Sequence, residues 1–91
     1  MRVRWSTEAA EDLERIHRRI ARDNPAAAHR TVQKLYAGCM ALKKFPYRCR
    51  AGREPGTREL VFRPLPYIAV YRVTETHVEI ARIWHSAQDW P

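Results

Sequence analysis

The chain changes its hydrophobic period within the first twenty residues. Arg2-Val3-Arg4-Trp5 alternates polar with apolar, as a short strand with one buried face does. From Ala9 the apolar positions step by 4, 3 and 4 through Leu13, Ile16 and Ile20, which predicts an amphipathic helix over 7–22. Ser6 or Thr7 can cap it, a side-chain oxygen satisfying an otherwise unpaired backbone N–H. Glu8, Glu11, Asp12 and Glu14 lie in its first turns and Arg18, Arg19 and Arg22 in its last, complementing the helix dipole. Glu11–Arg15 and Glu14–Arg18 are i,i+4 pairs. Asp23-Asn24-Pro25 then ends this helix and starts another, with Asn24 as N-cap and Pro25 at the first helical position. The second stripe, Ala28, Val32, Leu35, Cys39 and Leu42, predicts a helix over 26–44 that stops before Pro46. So short a turn makes an antiparallel hairpin, and each helix has one apolar stripe to cover.

Residues 45–56, FPYRCRAGREPG, are dense in Pro and Gly and read as a surface loop. Beyond them, Thr57–Pro91 is rich in Val, Ile, Tyr and Phe between Pro and polar turns, which predicts three strands and a tail holding His85, Asp89 and Trp90. A tight turn at Thr74-Glu75-Thr76-His77 sets Val73 opposite Val78. One face then carries Arg72/Glu79, Val70/Ala81 and Ile68/Ile83, and the other Val73/Val78, Tyr71/Ile80, Ala69/Arg82 and Tyr67/Trp84. The opposed charges of Arg72 and Glu79 favour this register, although a slip of one residue would exchange the faces. The expected fold is a single α+β domain over 1–91. It has a short N-terminal strand and an antiparallel helical hairpin on one face of a mainly antiparallel sheet, completed by three C-terminal strands. Both faces are apolar, so the one the hairpin leaves uncovered is expected to bind a partner. Tyr67, Ile68, Val70, Tyr71, Ile83, Trp84 and Trp90 are the candidate anchors.

Composition narrows the partner. The chain has 91 residues, 45% of them hydrophobic and only 3 Gly, enough for a core and against compositional disorder. No segment approaches the roughly 20 apolar residues of a membrane span, and the N-terminus lacks a signal-peptide pattern, so a cytoplasmic location is expected. Net charge is +7, with 14 Arg against 3 Lys. Arginine prefers planar contact with phosphate or carboxylate, so an anionic partner is expected, nucleic acid or an acidic protein segment. Arg48, Arg50 and Arg53 in the loop, with Arg58 and Arg63, are candidate target contacts. Cys39 falls on an apolar stripe and Cys49 in the loop, with no CxxC and no metal set, so neither a disulfide nor a metal is expected. Gly-rich phosphate loops, HExxH and serine-nucleophile motifs are absent from the sequence, and no cofactor is expected. His17 and His29 fall among charged helical neighbours, and His77 in the turn. His85 ends a strand beside Trp84 and near arginines; it suits either a structural hydrogen bond or a general acid or base.

Five segments in order carry a resemblance over essentially the whole chain. They are W-S/T-x-x-A-x-x-D-L-x-x-I from Trp5 to Ile16, the D-N-P-x-A-A turn, G-x-R-E-L-V from Gly56 to Val61, P-Y-I-x-V-Y-R-V from Pro66 to Val73, and R-I-x-H-x-x-x-D-W from Arg82 to Trp90. Together they resemble toxins of the RelE/ParE superfamily of bacterial type II toxin–antitoxin systems. That resemblance implies growth inhibition, a role in plasmid stabilization, and an antitoxin whose acidic, amphipathic segment folds on the toxin in a hetero-oligomer. It implies one of two activities. RelE- and YoeB-like members cut messenger RNA on the ribosome without a metal, and here Arg63, Arg82 and His85 are the residues such chemistry would use. ParE-like members bind and poison DNA gyrase without known catalytic residues. Ile68 stands where the nucleases carry an arginine, and losing that guanidinium removes charge needed at a pentavalent phosphate. The ending with Trp90 offers a stacking ring but no proton as Tyr does. Both departures favour the gyrase-binding alternative and argue against an enzyme.

Overall fold

The computed structural model describes residues 1–87. The first helix is anchored by the residue that starts it. Ser6 Oγ accepts the Ala9 N–H at 3.0 Å and donates to the Ala81 carbonyl at 2.8 Å, while its backbone N–H donates to Ile80 at 2.9 Å. One N-cap thus closes the first turn and ties it to the sheet. The elements are β1 (Arg2–Trp5), α1 (Thr7–Ala21), α2 (Pro25–Ala41), β2 (Arg50–Ala51), β3 (Arg58–Val61), β4 (Tyr67–Val73) and β5 (His77–His85). Asn24 caps α2 through the Ala27 N–H at 3.0 Å, with Pro25 following as expected. This helix ends at Ala41 rather than Lys44: Leu42, Lys43 and Lys44 each donate three residues back, a tightened last turn.

The sheet has the order β1-β5-β4-β3-β2; β1 runs parallel to β5 and the other neighbours are antiparallel. It is the expected α+β arrangement with one added strand. β2 was hidden in the predicted loop because two residues show no period; it is held by Glu59, whose carboxylate accepts from Arg50 at 2.9 and 3.1 Å and from the Arg53 N–H at 3.2 Å. Gly56, at φ +80°, supplies the left-handed residue of the turn into β3.

Ala9, Leu35, Cys39 and Leu42 of the helical layer close on Tyr67, Ala69, Tyr71, Val78, Ile80 and Ile83 of the sheet. Both stripes read from the sequence therefore point into one core. Burial pushes the Cys39 thiol up to about 12, and both cysteines are free. On α1, Arg15 pairs with Asp12 at 3.1 Å rather than with Glu11, whereas Glu14–Arg18 forms at 3.7 Å. Among the described residues no helix is long and apolar enough to cross a membrane.

Candidate functional site

The register of β4 and β5 decides which side chains meet. Val73, Arg72 and Tyr71 lie opposite Val78, Glu79 and Ile80, as the turn predicted. A bulge at Ala81 then shifts the pairing by one residue, giving Val70–Arg82, Ala69–Ile83, Ile68–Trp84 and Tyr67–His85. Its cause lies on α1, where β5 passes beyond the end of β1. Ser6 holds the Ala81 carbonyl, and Asp12 Oδ2 accepts the Ile83 N–H at 2.9 Å. The shift corrects the predicted faces: Ile83 joins the core beside Tyr67 and Tyr71, and Arg82 and Trp84 share the opposite face with Ile68 and Val70. Tyr67, Tyr71 and Ile83 are 5%, 0% and 2% exposed, so these three candidate anchors are core residues rather than open surface. Trp90 lies outside the described residues.

The face opposite the core is not the bare apolar patch expected. Its groove, about 460 Å³, has an apolar wall of Val70, Ala81 and Trp84 but also holds Arg53, Arg72 and Arg82 against Glu8, Glu54, Glu59 and Glu79. Arg72 reaches Glu79 at 3.9 Å and Glu54 at 4.0 Å. Carboxylates at this density repel a phosphate backbone, whereas mixed charge around an aromatic wall suits a polypeptide. Ile68, on the same face, is buried.

Arg82 is committed within the fold. Its Nε and Nη2 donate to Asp12 at 2.8 and 3.0 Å, and its guanidinium lies 5.3 Å from the centre of the Trp84 ring. Burial alone raises the Asp12 carboxyl, but the hydrogen bonds from Arg82 and Ile83 outweigh it and hold the group below its ordinary value. The sequence signal for this pair was present: Asp12, three residues after Ala9, sits on the side of α1 that the stripe assigns to the core.

The candidate nuclease residues do not converge. Arg82 lines the groove just described. His85 lines a separate cleft beside α1, its Nδ1 accepting the Ala87 N–H at 3.1 Å and its ring edge-on to Tyr67 with centroids 5.5 Å apart. Arg63 lines a third cavity, with Lys34 and Arg48 above Leu42, Leu60, Val61, Phe62 and Leu65. That cavity, about 450 Å³, is an apolar floor with three cations and no carboxylate among its lining residues. Of the remaining basic candidates, Arg50 is bound to Glu59, and Arg58 donates to the Tyr47 and Cys49 carbonyls at 2.9 Å each. Arg53 lines the mixed-charge groove. Arg48 and Arg63 remain exposed at the rim of the apolar cavity.

Gly38 shapes that cavity. A Cβ there would stand 2.4 Å from Phe62 Cε1. Alanine ordinarily improves a helix interior by about 1 kcal/mol over glycine; here Gly38→Ala is expected to lower stability by about 1–2 kcal/mol, because the ring must leave its seat. Thermal denaturation checks this, and a rise in melting temperature would show that Phe62 yields freely.

Comparison with known proteins agrees along the whole chain. A family model described as ParE toxin of type II toxin-antitoxin system, parDE, matches residues 3–90. A Sinorhizobium fredii protein named "Putative toxin Y4kP" is 40% identical over 90 residues, covering 99% of this chain and 93% of that one. Among solved structures, the chromosomal ParDE toxin–antitoxin system from P. aeruginosa matches with a TM-score of 0.84 at 26% identity, covering 93% of this chain and 95% of that one. The toxin–antitoxin complex RelBE2 from Mycobacterium tuberculosis matches with a TM-score of 0.67, also at 26% identity, covering 96% and 92%.

Proposed function

The chain belongs to the ParE toxin family of type II toxin–antitoxin systems, and on that premise we propose that it arrests growth in the cytoplasm by binding and poisoning DNA gyrase, without catalysis of its own. One observation carries the non-catalytic part: Arg63, Arg82 and His85 line three different cavities, and the Arg82 guanidinium is held by Asp12. Metal-independent phosphoryl transfer needs its cations and proton carriers within hydrogen-bond reach of one phosphate. The groove along Trp84, lined by both charge signs, is instead suited to contact with a protein target.

The proposal includes neutralisation by a cognate antitoxin. The cavity under Lys34, Arg48 and Arg63 fits an acidic, amphipathic segment that folds as it docks: apolar side chains fill the floor and carboxylates meet the rim. Coexpression of such an antitoxin is expected to relieve growth arrest.

Induction in sensitive cells separates the two activities. Gyrase poisoning gives an SOS response, double-strand breaks and filamentation, while an endoribonuclease cuts translated messages and leaves DNA intact. His85→Ala and Arg63→Ala are expected to keep toxicity within about fivefold, since a surface contact of this kind is worth less than about 1 kcal/mol. Arg82 is unsuitable for this test because its removal also disturbs the fold. Message cleavage that disappears in both variants while the protein stays folded would establish the ribosome-dependent nuclease instead.

A further inference from the structure

The sheet ends at β1, which has β5 on one side and, among the described residues, no strand on the other. The Ser6 N–H donates back to Ile80 at 2.9 Å, so by alternation the amide groups of Arg2 and Arg4 also face β5. Those of Val3 and Trp5 point outward, and among the described residues no backbone hydrogen bond reaches them from that side. An open strand edge of this kind is a template for a further strand.

The two faces beside the edge differ in chemistry. Val3 and Trp5 pack against the core, and Trp5 stacks on Tyr36 of α2 with ring centroids 5.9 Å apart. Trp5 also walls an apolar groove of about 430 Å³ with Leu13 of α1 and Val32 and Tyr36 of α2. Tyr36 is 51% exposed there, a large ring left in water. The Trp5 indole N–H is buried without an acceptor, the one such side-chain atom among the described residues. On the opposite face Arg2 and Arg4 are exposed, and neither forms an ion pair among the described residues. Glu79, which lies opposite Arg4, is drawn to Arg72 instead.

We propose that β1 accepts one further strand from a partner protein, an extended acidic segment whose apolar side chains alternate with Asp or Glu. Its backbone pairs with Val3 and Trp5, its apolar side chains enter the groove, and its carboxylates meet Arg2 and Arg4. A second copy of this chain fits less well, because it sets like charges across the new strand pair and brings another net charge of +7. Neither the Trp84 groove nor the cavity under Lys34, Arg48 and Arg63 includes a residue of β1, so the inference rests on neither the gyrase nor the antitoxin reading.

The test titrates the whole chain with a short blocked peptide of alternating valine and glutamate, following amide chemical shifts and amide exchange. Shifts are expected on Arg2–Trp5, Tyr36 and the Trp5 indole, with exchange slowed at Val3 and Trp5. Replacing the glutamates by lysines, or Arg2→Gln with Arg4→Gln in the chain, is expected to weaken binding roughly tenfold or more. Binding is expected to fall as salt rises. Backbone pairing is read without any change to the chain: of two peptides N-methylated at alternate amides, only the one whose methyl groups face away from β1 should bind. Lys34→Gln with Arg48→Gln is expected to bind the peptide like the parent chain. Equal binding of both methylated peptides, equal binding of the lysine peptide, or shifts gathered at Lys34, Arg48 and Arg63 overturns the proposal. Exchange at Val3 and Trp5 that slows with protein concentration in the absence of peptide assigns the edge to a second copy, and overturns it too.

Discussion

Asp12→Ala is expected to lower the stability of the folded chain by about 3 kcal/mol, which for a domain of this size is a fall in melting temperature of roughly 12–24 °C. The carboxylate is 1% exposed and accepts from Arg82, Arg15 and the Ile83 backbone. Its loss leaves the Ile83 N–H of β5 without an acceptor at the bulge and strands the Arg82 guanidinium over Trp84. We place the cost at the low end for a broken buried pair because the Arg82 side chain is 37% exposed and is partly rescued by water. Arg82→Ala is expected to cost less, since Asp12 keeps Arg15 and Ile83. A double-mutant cycle should return a coupling above about 1 kcal/mol. If Asp12→Ala melts within a few degrees of the parent, the node does not hold β5 to α1.

The same pair fixes a pH dependence. The folded-state pKa of Asp12 is depressed below the ordinary 3.8, so its stabilisation is present above about pH 4 and is lost as pH falls through the folded value. The melting-temperature gap between parent and Asp12→Ala should stay constant from neutral pH to about pH 5, then narrow in more acidic solution. A gap that widens on acidification would reverse the sign and contradict the assignment.

How far the sequence could be read follows from these contacts. Ser6 and Asn24 act where the capping rules placed them, and the turn at Thr74–His77 set the register of its first three pairs. Beyond Tyr71 the reading failed for a definite reason. A bulge adds one residue to one strand without altering the hydrophobic period of either, and here its cause, Asp12, is 71 positions from the Ile83 it binds. The slip sent Ile83 to the wrong face and separated Arg82 and Trp84 from Val70 and Ile68. What the sequence did display was a carboxylate on the buried side of α1 and an arginine between Ile80 and Ile83, each needing a partner of opposite sign. Pairing them would have placed α1 against β5 and taken Arg82 off the nuclease candidates. Family resemblance supplied what pattern could not, because a mixed-charge groove built from β3, β4 and β5 has no local signature.

Tyr71 separates the worth of a ring from the worth of its hydroxyl. Tyr71→Ala is expected to cost about 4 kcal/mol, the range for removing a large aromatic group from a core that only partly collapses. The residue is 0% exposed and lies in the same cluster as Leu35, Cys39 and Ile80. Tyr71→Phe keeps that packing and removes the hydroxyl's donation to the Pro46 carbonyl at 2.7 Å, together with its interaction with Cys49. Pro46 is half-buried at the start of the loop that carries Arg48, so water reaches the freed carbonyl in part and the cost should be about 1 kcal/mol. Arg58 still grips the Tyr47 and Cys49 carbonyls, so the loop stays near the sheet but loses its first fastening. Native-state hydrogen exchange should therefore speed up at residues 46–50 in the phenylalanine variant and leave β4 and β5 unchanged. The alanine variant should exchange faster throughout. Equal melting temperatures for the two variants would mean that the hydroxyl, not the ring, holds the core, and unchanged loop exchange in Tyr71→Phe would leave the fastening of the loop to Arg58 and to the Arg50–Glu59 pair.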